Sequence, residues 1–158
     1  MSVPWELGFE PPRAERLVPG RGDVVWPGAD AMLVGAGPVL LSQAHAAAGL
    51  LAGRGLDCAV LALPWLRDVD GPWLAELAAG APVFCLDNHY ASGGQGDAVA
   101  AALAAQDAVP VGPVRRLAVD RVPECGTNDE VLHAHGLDAA GIAARVEAAM
   151  PARVQPVA

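Results

Sequence analysis

The sequence predicts an α/β fold, a three-layer α/β/α sandwich around a mainly parallel sheet of about five strands. Two observations support this prediction. Short, continuous apolar runs alternate along the chain with helical patterns, and strands that lack polar alternation are those covered on both faces. Right-handed crossovers between parallel strands then place helices on both sides of the sheet. The length of 158 residues suits one domain of this kind.

Four apolar runs are predicted to be buried strands, because glycine, proline or charged residues bound each of them. They span residues 31–34, 57–63, 82–86 and 114–119. The third run is followed by a polar, glycine-rich stretch, residues 87–96, which is predicted to be a turn.

Between these runs, apolar residues recur at spacings of three and four, which is the pattern of an amphipathic helix. The helices predicted in this way span residues 38–53, 72–79 and 97–106. Further along, Thr127 and Glu130 have the spacing of a capping box and predict a helix start. Asp138 is the predicted N-cap of a last helix, residues 139–150.

The first 28 residues are predicted to form a Pro-rich N-terminal arm, since they contain five prolines and show neither helix nor strand periodicity. The arm also carries large apolar side chains, among them Trp5, Phe9 and Trp26. These either pack on the chain's own domain or dock on a neighbouring one. The domain itself is predicted over residues 29–150, with a tail over residues 151–158.

The composition excludes several classes of function. The net charge is −8 and all ten basic residues are arginines, so the lysine of a P-loop and the lysine of a pyridoxal enzyme are both missing. The pair Arg115–Arg116 is too small a basic patch for nucleic-acid binding. We expect neither a membrane span nor a signal peptide, and three cysteines do not form a disulfide framework. Cysteines that do not form disulfides are typical of the reducing cytoplasm, so the sequence predicts a cytoplasmic protein.

The residue spacing does not support a dinucleotide-binding site or a metal site. The glycine turn at residues 35–37 does not fit a dinucleotide-binding fingerprint, because Leu40 stands where the third glycine is required. Cys125, His133 and His135 lack the spacing of metal ligands. The two histidines are expected at the C-terminus of a helix, where cationic character is favourable.

The richest polar cluster follows the third predicted strand, at the edge where open α/β sheets bind their ligands. Its candidate residues are Asp87, Asn88, His89, Tyr90, Gly93 and Gly94. In one interpretation the acid and the imidazole form a functional site. In the other, the glycines permit a tight turn while Asp87 and His89 satisfy loop amides. A hydrolase triad is not predicted, because Asp87, His89 and Ser92 are too close in sequence.

Three motifs stand in a fixed order along the chain. The first is D-A-M-L-V-G-A-G at residues 30–37, and the second is V-F-C-L-D-N-H-x-x-x-G-G-x-G at residues 83–96. The third, at residues 126–142, reads G-T-x-x-E-x-L-x-x-x-G-L-D-x-x-G-I. Together they resemble the transketolase C-terminal domain family, over roughly residues 30–150. One departure is Asp87, where the family has a glutamate.

The resemblance implies a division of labour between domains. Members of this family are thiamine-diphosphate enzymes whose cofactor and divalent metal, such as Mg²⁺, lie between two other domains. The third domain supports the dimer and borders the substrate channel. The resemblance therefore implies a small subunit of a split enzyme that binds neither cofactor nor metal itself. Larger partner subunits would carry the diphosphate- and pyrimidine-binding domains, in a hetero-oligomer with two-fold symmetry. Neither nucleic acid nor a membrane is an expected partner.

The reaction that the resemblance implies is the transfer of a two-carbon ketol unit from a ketose to an aldehyde. No catalytic residue is expected on this chain, His89 being a weak candidate for a hydrogen bond to substrate. The cluster 87–94 and the arm's Trp5, Phe9 and Trp26 are the expected interface or channel residues. Two alternatives stay open: a component of a 2-oxoacid dehydrogenase-type enzyme, and an independent small-molecule binding module.

Overall fold

The computed structural model of the chain describes residue 10, residues 17–107 and residues 112–150. Its elements in chain order are β1 (Asp23–Trp26), β2 (Ala31–Gly35), α1 (Gly37–Ala52), β3 (Cys58–Ala62), α2 (Gly71–Ala78), β4 (Val83–Tyr90), α3 (Gln95–Ala104), β5 (Val114–Val119), α4 (Asn128–Ala134) and α5 (Ala139–Ala149). Five strands of the described chain form one sheet in the order β1-β3-β2-β4-β5. β2 is parallel to β3 and β4, and β4 is parallel to β5, whereas β1 is antiparallel to β3. The predicted fold class is confirmed.

Two apolar clusters, one on each face of the sheet, make the fold three-layered. Leu33 and Val60 face α1 and α5 in one cluster, while Val34 and Leu61 face α2 and α3 in the other. Successive residues of a strand point to opposite faces, so each central strand supplies both clusters. Every residue of β2 and β3 is buried, which explains why these strands read as continuous apolar runs.

The segment predicted as an arm contributes an edge strand that its sequence pattern did not reveal. β1 pairs with β3, with an irregularity in register between Val24 and Trp26. It has only four residues and is half-buried at most, too short for periodicity to show. Trp26 packs against the chain's own core, its ring 4.8 Å from that of His45 in an edge-to-face arrangement. Trp5 and Phe9 lie outside the described residues.

β4 is longer than predicted. The expected strand ended at residue 86 and a turn was expected from residue 87, but β4 continues to Tyr90. After a register irregularity, Tyr90 pairs with Val119 of β5. The polar character of residues 87–90 therefore does not mark a turn. Backbone pairing with a neighbouring strand holds this segment extended beyond the apolar core, and the sequence of β4 alone contains no sign of that partner.

The two predicted helix starts near the C-terminus are confirmed in atomic detail. Thr127 Oγ1 accepts a hydrogen bond from the Glu130 amide, and Glu130 Oε2 accepts one from the Thr127 amide at 2.8 Å. Asp138 Oδ1 accepts from the Gly141 amide at 2.9 Å. His133 lies in the last turn of α4 and His135 is its C-cap, as expected. None of the described helices has the length and hydropathy needed to cross a bilayer.

Candidate functional site

The polar cluster is built where β4 ends and α3 begins, at the carboxyl edge of the sheet. Asp87 is buried there, and its two carboxylate oxygens accept hydrogen bonds from the amides of Gln95 at 2.9 Å and Gly96 at 3.0 Å. These amides belong to the first turn of α3 and have no partner within the helix. Asp87 therefore caps α3 across eight residues of chain, as the structural interpretation of the cluster predicted for this acid.

The two glycines before α3 serve different purposes. Gly93 has a φ of +81°, a left-handed conformation that side chains disfavour. Gly94 has ordinary backbone angles, but a Cβ at this position would lie 2.6 Å from Asp87 Oδ2. The Gly93 amide donates to Asp97 Oδ2 at 2.7 Å. This hydrogen bond, reinforced by the charge of Arg116, holds the pKa of the Asp97 carboxyl below its usual value.

Gln95 ties the loop to the next part of the sheet edge, and sequence reasoning missed it. Its Nε2 donates to the carbonyl oxygens of Leu63 at 2.7 Å and Trp65 at 2.9 Å, just after β3. The side chain is buried, and its Oε1 has no hydrogen-bond partner among the described residues. No local signal marks this glutamine, because its partners lie about thirty residues earlier in the chain.

The side chain of His89 is exposed. Its Nδ1 lies 3.0 Å from the carbonyl oxygen of Tyr90. A carbonyl oxygen only accepts, so Nδ1 must carry the hydrogen, and the neutral ring then presents an unprotonated Nε2. His89 does not satisfy a loop amide, contrary to the structural interpretation of the cluster. Its Nε2 is available as a hydrogen-bond acceptor for a ligand or a partner protein at this edge of the sheet.

Three large apolar side chains are exposed at this edge of the sheet, each at or just after the end of a strand. Leu66 follows β3, Tyr90 ends β4 and Val122 follows β5, and their exposed fractions are 65%, 48% and 82%. We call these three residues the apolar rim. Exposed apolar side chains grouped in this way are typical of a contact surface. Sequence analysis found Tyr90 but missed Leu66 and Val122, which lie outside any motif.

Below the rim the site is closed. Cys85 is buried in β4, and burial, aided by the negative charge of Asp87, raises the pKa of its thiol to about 12. A thiol protonated at neutral pH is not a nucleophile. Cys58 is likewise buried in β3, whereas Cys125 is exposed. The available chemistry at this edge is therefore hydrogen bonding by His89 and Asn88, with apolar contact by the rim.

Comparison with known proteins identifies the domain. A family model described as "Transketolase, C-terminal domain" matches residues 20–142. A 1-deoxy-D-xylulose-5-phosphate synthase of Syntrophotalea carbinolica is 35% identical over 89% of this chain and 22% of its own length. Human transketolase is 33% identical over 72% of this chain and 18% of its own length. The chain thus spans about a fifth of these relatives.

A solved structure supports the same relationship. It is described as "Split gene transketolase, inactive beta4 tetramer", where beta4 denotes four copies of a β subunit. It superimposes on this chain with a TM-score of 0.72 at 31% identity. The match covers 85% of this chain and 43% of that one. Fold, motif order and family match agree, and the chain belongs to the transketolase C-terminal domain family.

Proposed function

We propose that this chain is the small subunit of a split, thiamine-diphosphate-dependent enzyme of the transketolase type. The assembled enzyme transfers a two-carbon ketol unit from a ketose to an aldehyde, and this chain supports assembly and borders the substrate channel. The observation that carries the proposal is the exposed apolar rim at the ends of β3, β4 and β5, on a domain of this family. When another protein surface covers such a rim, its apolar side chains are removed from water, and this stabilises the complex. The cytoplasm is the proposed location.

The proposal assigns thiamine diphosphate and Mg²⁺ to larger partner subunits. Among the described residues, no three His, Cys, Asp or Glu side chains lie together in a way that would hold a metal ion. The described residues therefore do not fit the metal ion of the cofactor site. The partners would carry the diphosphate- and pyrimidine-binding domains, and two copies of each subunit would assemble around a two-fold axis.

In this assembly His89 acts by position. The bond from its Nδ1 to the Tyr90 carbonyl leaves Nε2 of the exposed ring to accept a hydrogen bond from a sugar hydroxyl. Asp87 does not reach that surface. It contributes by fixing the start of α3 against the end of β4, which holds the backbone that carries His89. Asn88 and Tyr90 flank the same point, while Trp26 is held on its own domain and is a minor docking candidate.

Co-expression with a partner that carries the other two domains tests assembly. We expect a stable complex that converts a ketose and an aldehyde, whereas either subunit alone is inactive. Leu66→Asp and Val122→Asp should abolish co-purification, because a buried, unpaired carboxylate opposes association. Leu50→Asp is the matched control, since Leu50 is 41% exposed on α1. Turnover by the isolated chain, or equal loss of assembly in the control, would contradict the proposal.

His89→Ala separates channel from interface. We expect the complex to form normally, with turnover reduced about tenfold by loss of one hydrogen bond to substrate. Loss of assembly would instead place His89 at the interface. The same complex should also be assayed for synthesis of 1-deoxy-D-xylulose 5-phosphate. The reason is that the similarity to a 1-deoxy-D-xylulose-5-phosphate synthase extends over 89% of this chain.

A further inference from the structure

A second feature lies along β5 and is not used by the proposed function. A cleft of about 700 Å³ opens between the edge strand β5 and the end of α5. Small-molecule sites usually have volumes between about 300 and 1,000 Å³. Apolar residues of β4, β5 and α5 line part of it, including Phe84, Leu117 and Ala149, and three arginines line the rest. None of its lining residues is acidic.

Two of these arginines have no carboxylate partner among the described residues. Seven arginines fall within the described residues, and five of them have a carboxylate within 4.0 Å. Those five are Arg21, Arg54, Arg67, Arg116 and Arg121. The two with no carboxylate partner in the described part of the chain are Arg115 and Arg145, and both line this cleft. In a protein of net charge −8, composition alone does not explain why the two arginines that lack a partner in the described part of the chain line the same cleft.

The sheet geometry explains how the two side chains come to share the cleft. Arg115 is two residues before Leu117, so both lie on the same face of β5, and Leu117 belongs to the cluster that α5 covers. Arg115 also stands opposite Phe84 in the register of β4 and β5. Arg145 approaches from α5. The third arginine, Arg116, also lines the cleft but already pairs with Asp97 of α3.

We propose that this cleft binds a phosphate monoester through Arg115 and Arg145. A monoester carries a charge close to −2 at neutral pH and three strong acceptor oxygens. Two guanidinium groups match that charge and present their donors as planar forks, the geometry that phosphate oxygens accept. The apolar lining suits the organic part of an ester, which free phosphate lacks.

Calorimetric titration of the full chain with inorganic phosphate and with phenyl phosphate tests this assignment. We expect both to bind, phenyl phosphate more tightly, and phenol not at all. Arg115→Gln and Arg145→Gln should each raise the Kd about tenfold or more, since each removes charge-assisted hydrogen bonds. Amide resonances of Leu117 and Ala149 should shift during the titration.

Arg67→Gln is the control for charge. It makes the same charge change at a side chain that is 89% exposed and outside the cleft, so the Kd should not change. Arg115→Lys should fall between wild type and Arg115→Gln, because it keeps the charge but loses the fork. Thermal unfolding of each variant separates lost binding from lost folding. No binding of either phosphate by folded wild-type chain would overturn the proposal, as would equal weakening by Arg67→Gln. Equal affinity for the two phosphates would reject the ester and assign the cleft to free phosphate.

Discussion

The carboxylate of Asp87 lies directly against the backbone of Gly94. A Cβ at position 94 would lie 2.6 Å from Oδ2 and 2.8 Å from Cγ of Asp87. The carboxylate cannot swing aside, because the amides of Gln95 and Gly96 hold both of its oxygens. This close approach links the end of β4 to the start of α3, and it leaves no room for a side chain at position 94 although the backbone angles there are ordinary.

Gly94→Ala should therefore destabilise the chain by roughly 2 kcal/mol, as expected for overpacking against a fixed group. Gly53→Ala is the control. Gly53 has right-handed helical backbone angles at the end of α1, and a Cβ there would meet nothing closer than 3.5 Å. Its cost should stay below about 1 kcal/mol. Urea unfolding of both variants measures the difference, and equal costs would show that Asp87 is not held rigidly.

The three cysteines should differ sharply in reactivity. The pKa of Cys85 is raised to about 12 by burial, Cys58 is buried and Cys125 is exposed. Since only an accessible thiolate reacts, iodoacetamide at pH 8 should add one group to the native chain and three in denaturant. Intact mass gives both counts. The variant Cys125→Ser should lose the native adduct, and an adduct on Cys85 in native protein would contradict the buried core of β4.

Gly49→Ala should stabilise the chain. Gly49 lies inside α1, is exposed, and a Cβ there would meet nothing within 4 Å. Replacing glycine by alanine in a helix interior gains about 0.5–1 kcal/mol. Gly71→Ala, at the first position of α2, is the opposite case, because its Cβ would lie 2.4 Å from the Ala102 carbonyl oxygen. Denaturant midpoints should move in opposite directions, and a loss of stability in Gly49→Ala would contradict the helix packing described.

Sequence reasoning succeeded where the physical cause is local. The starts of α4 and α5 were predicted because each cap and its amide lie within three residues, as with Thr127 and Glu130. The central strands were predicted because burial on both faces leaves only apolar residues in β2 and β3. In both cases a short window of sequence contains the whole interaction.

The sequence did not predict those features of the fold that depend on residues distant in the chain. α3 begins at Gln95 rather than at the predicted residue 97, because Asp87 supplies the cap from the end of β4. The extension of β4 depends on pairing with β5, and β1 depends on pairing with β3. The candidate site shows the same limit: its motif named Asp87 and His89, whereas Leu66 and Val122 join the rim only through the arrangement of strand ends.

The hydrogen bond between His133 and Asp138 gives a pH dependence of known sign. His133 Nδ1 lies 2.8 Å from Asp138 Oδ2, and this contact, with the Gly141 amide, lowers the pKa of the Asp138 carboxyl from 3.8. The unfolded chain then binds more protons than the folded one, so the stabilisation is complete above about pH 3.8 and is lost as the pH falls through the lower folded value. Asp138→Asn keeps an N-cap but removes the charge, and should cost roughly 0.5 kcal/mol at pH 7. Denaturant unfolding between pH 7 and pH 3 should show that the free energies of unfolding of wild type and variant converge as the pH falls. A difference between them that does not change with pH would mean that the carboxylate charge contributes nothing to stability.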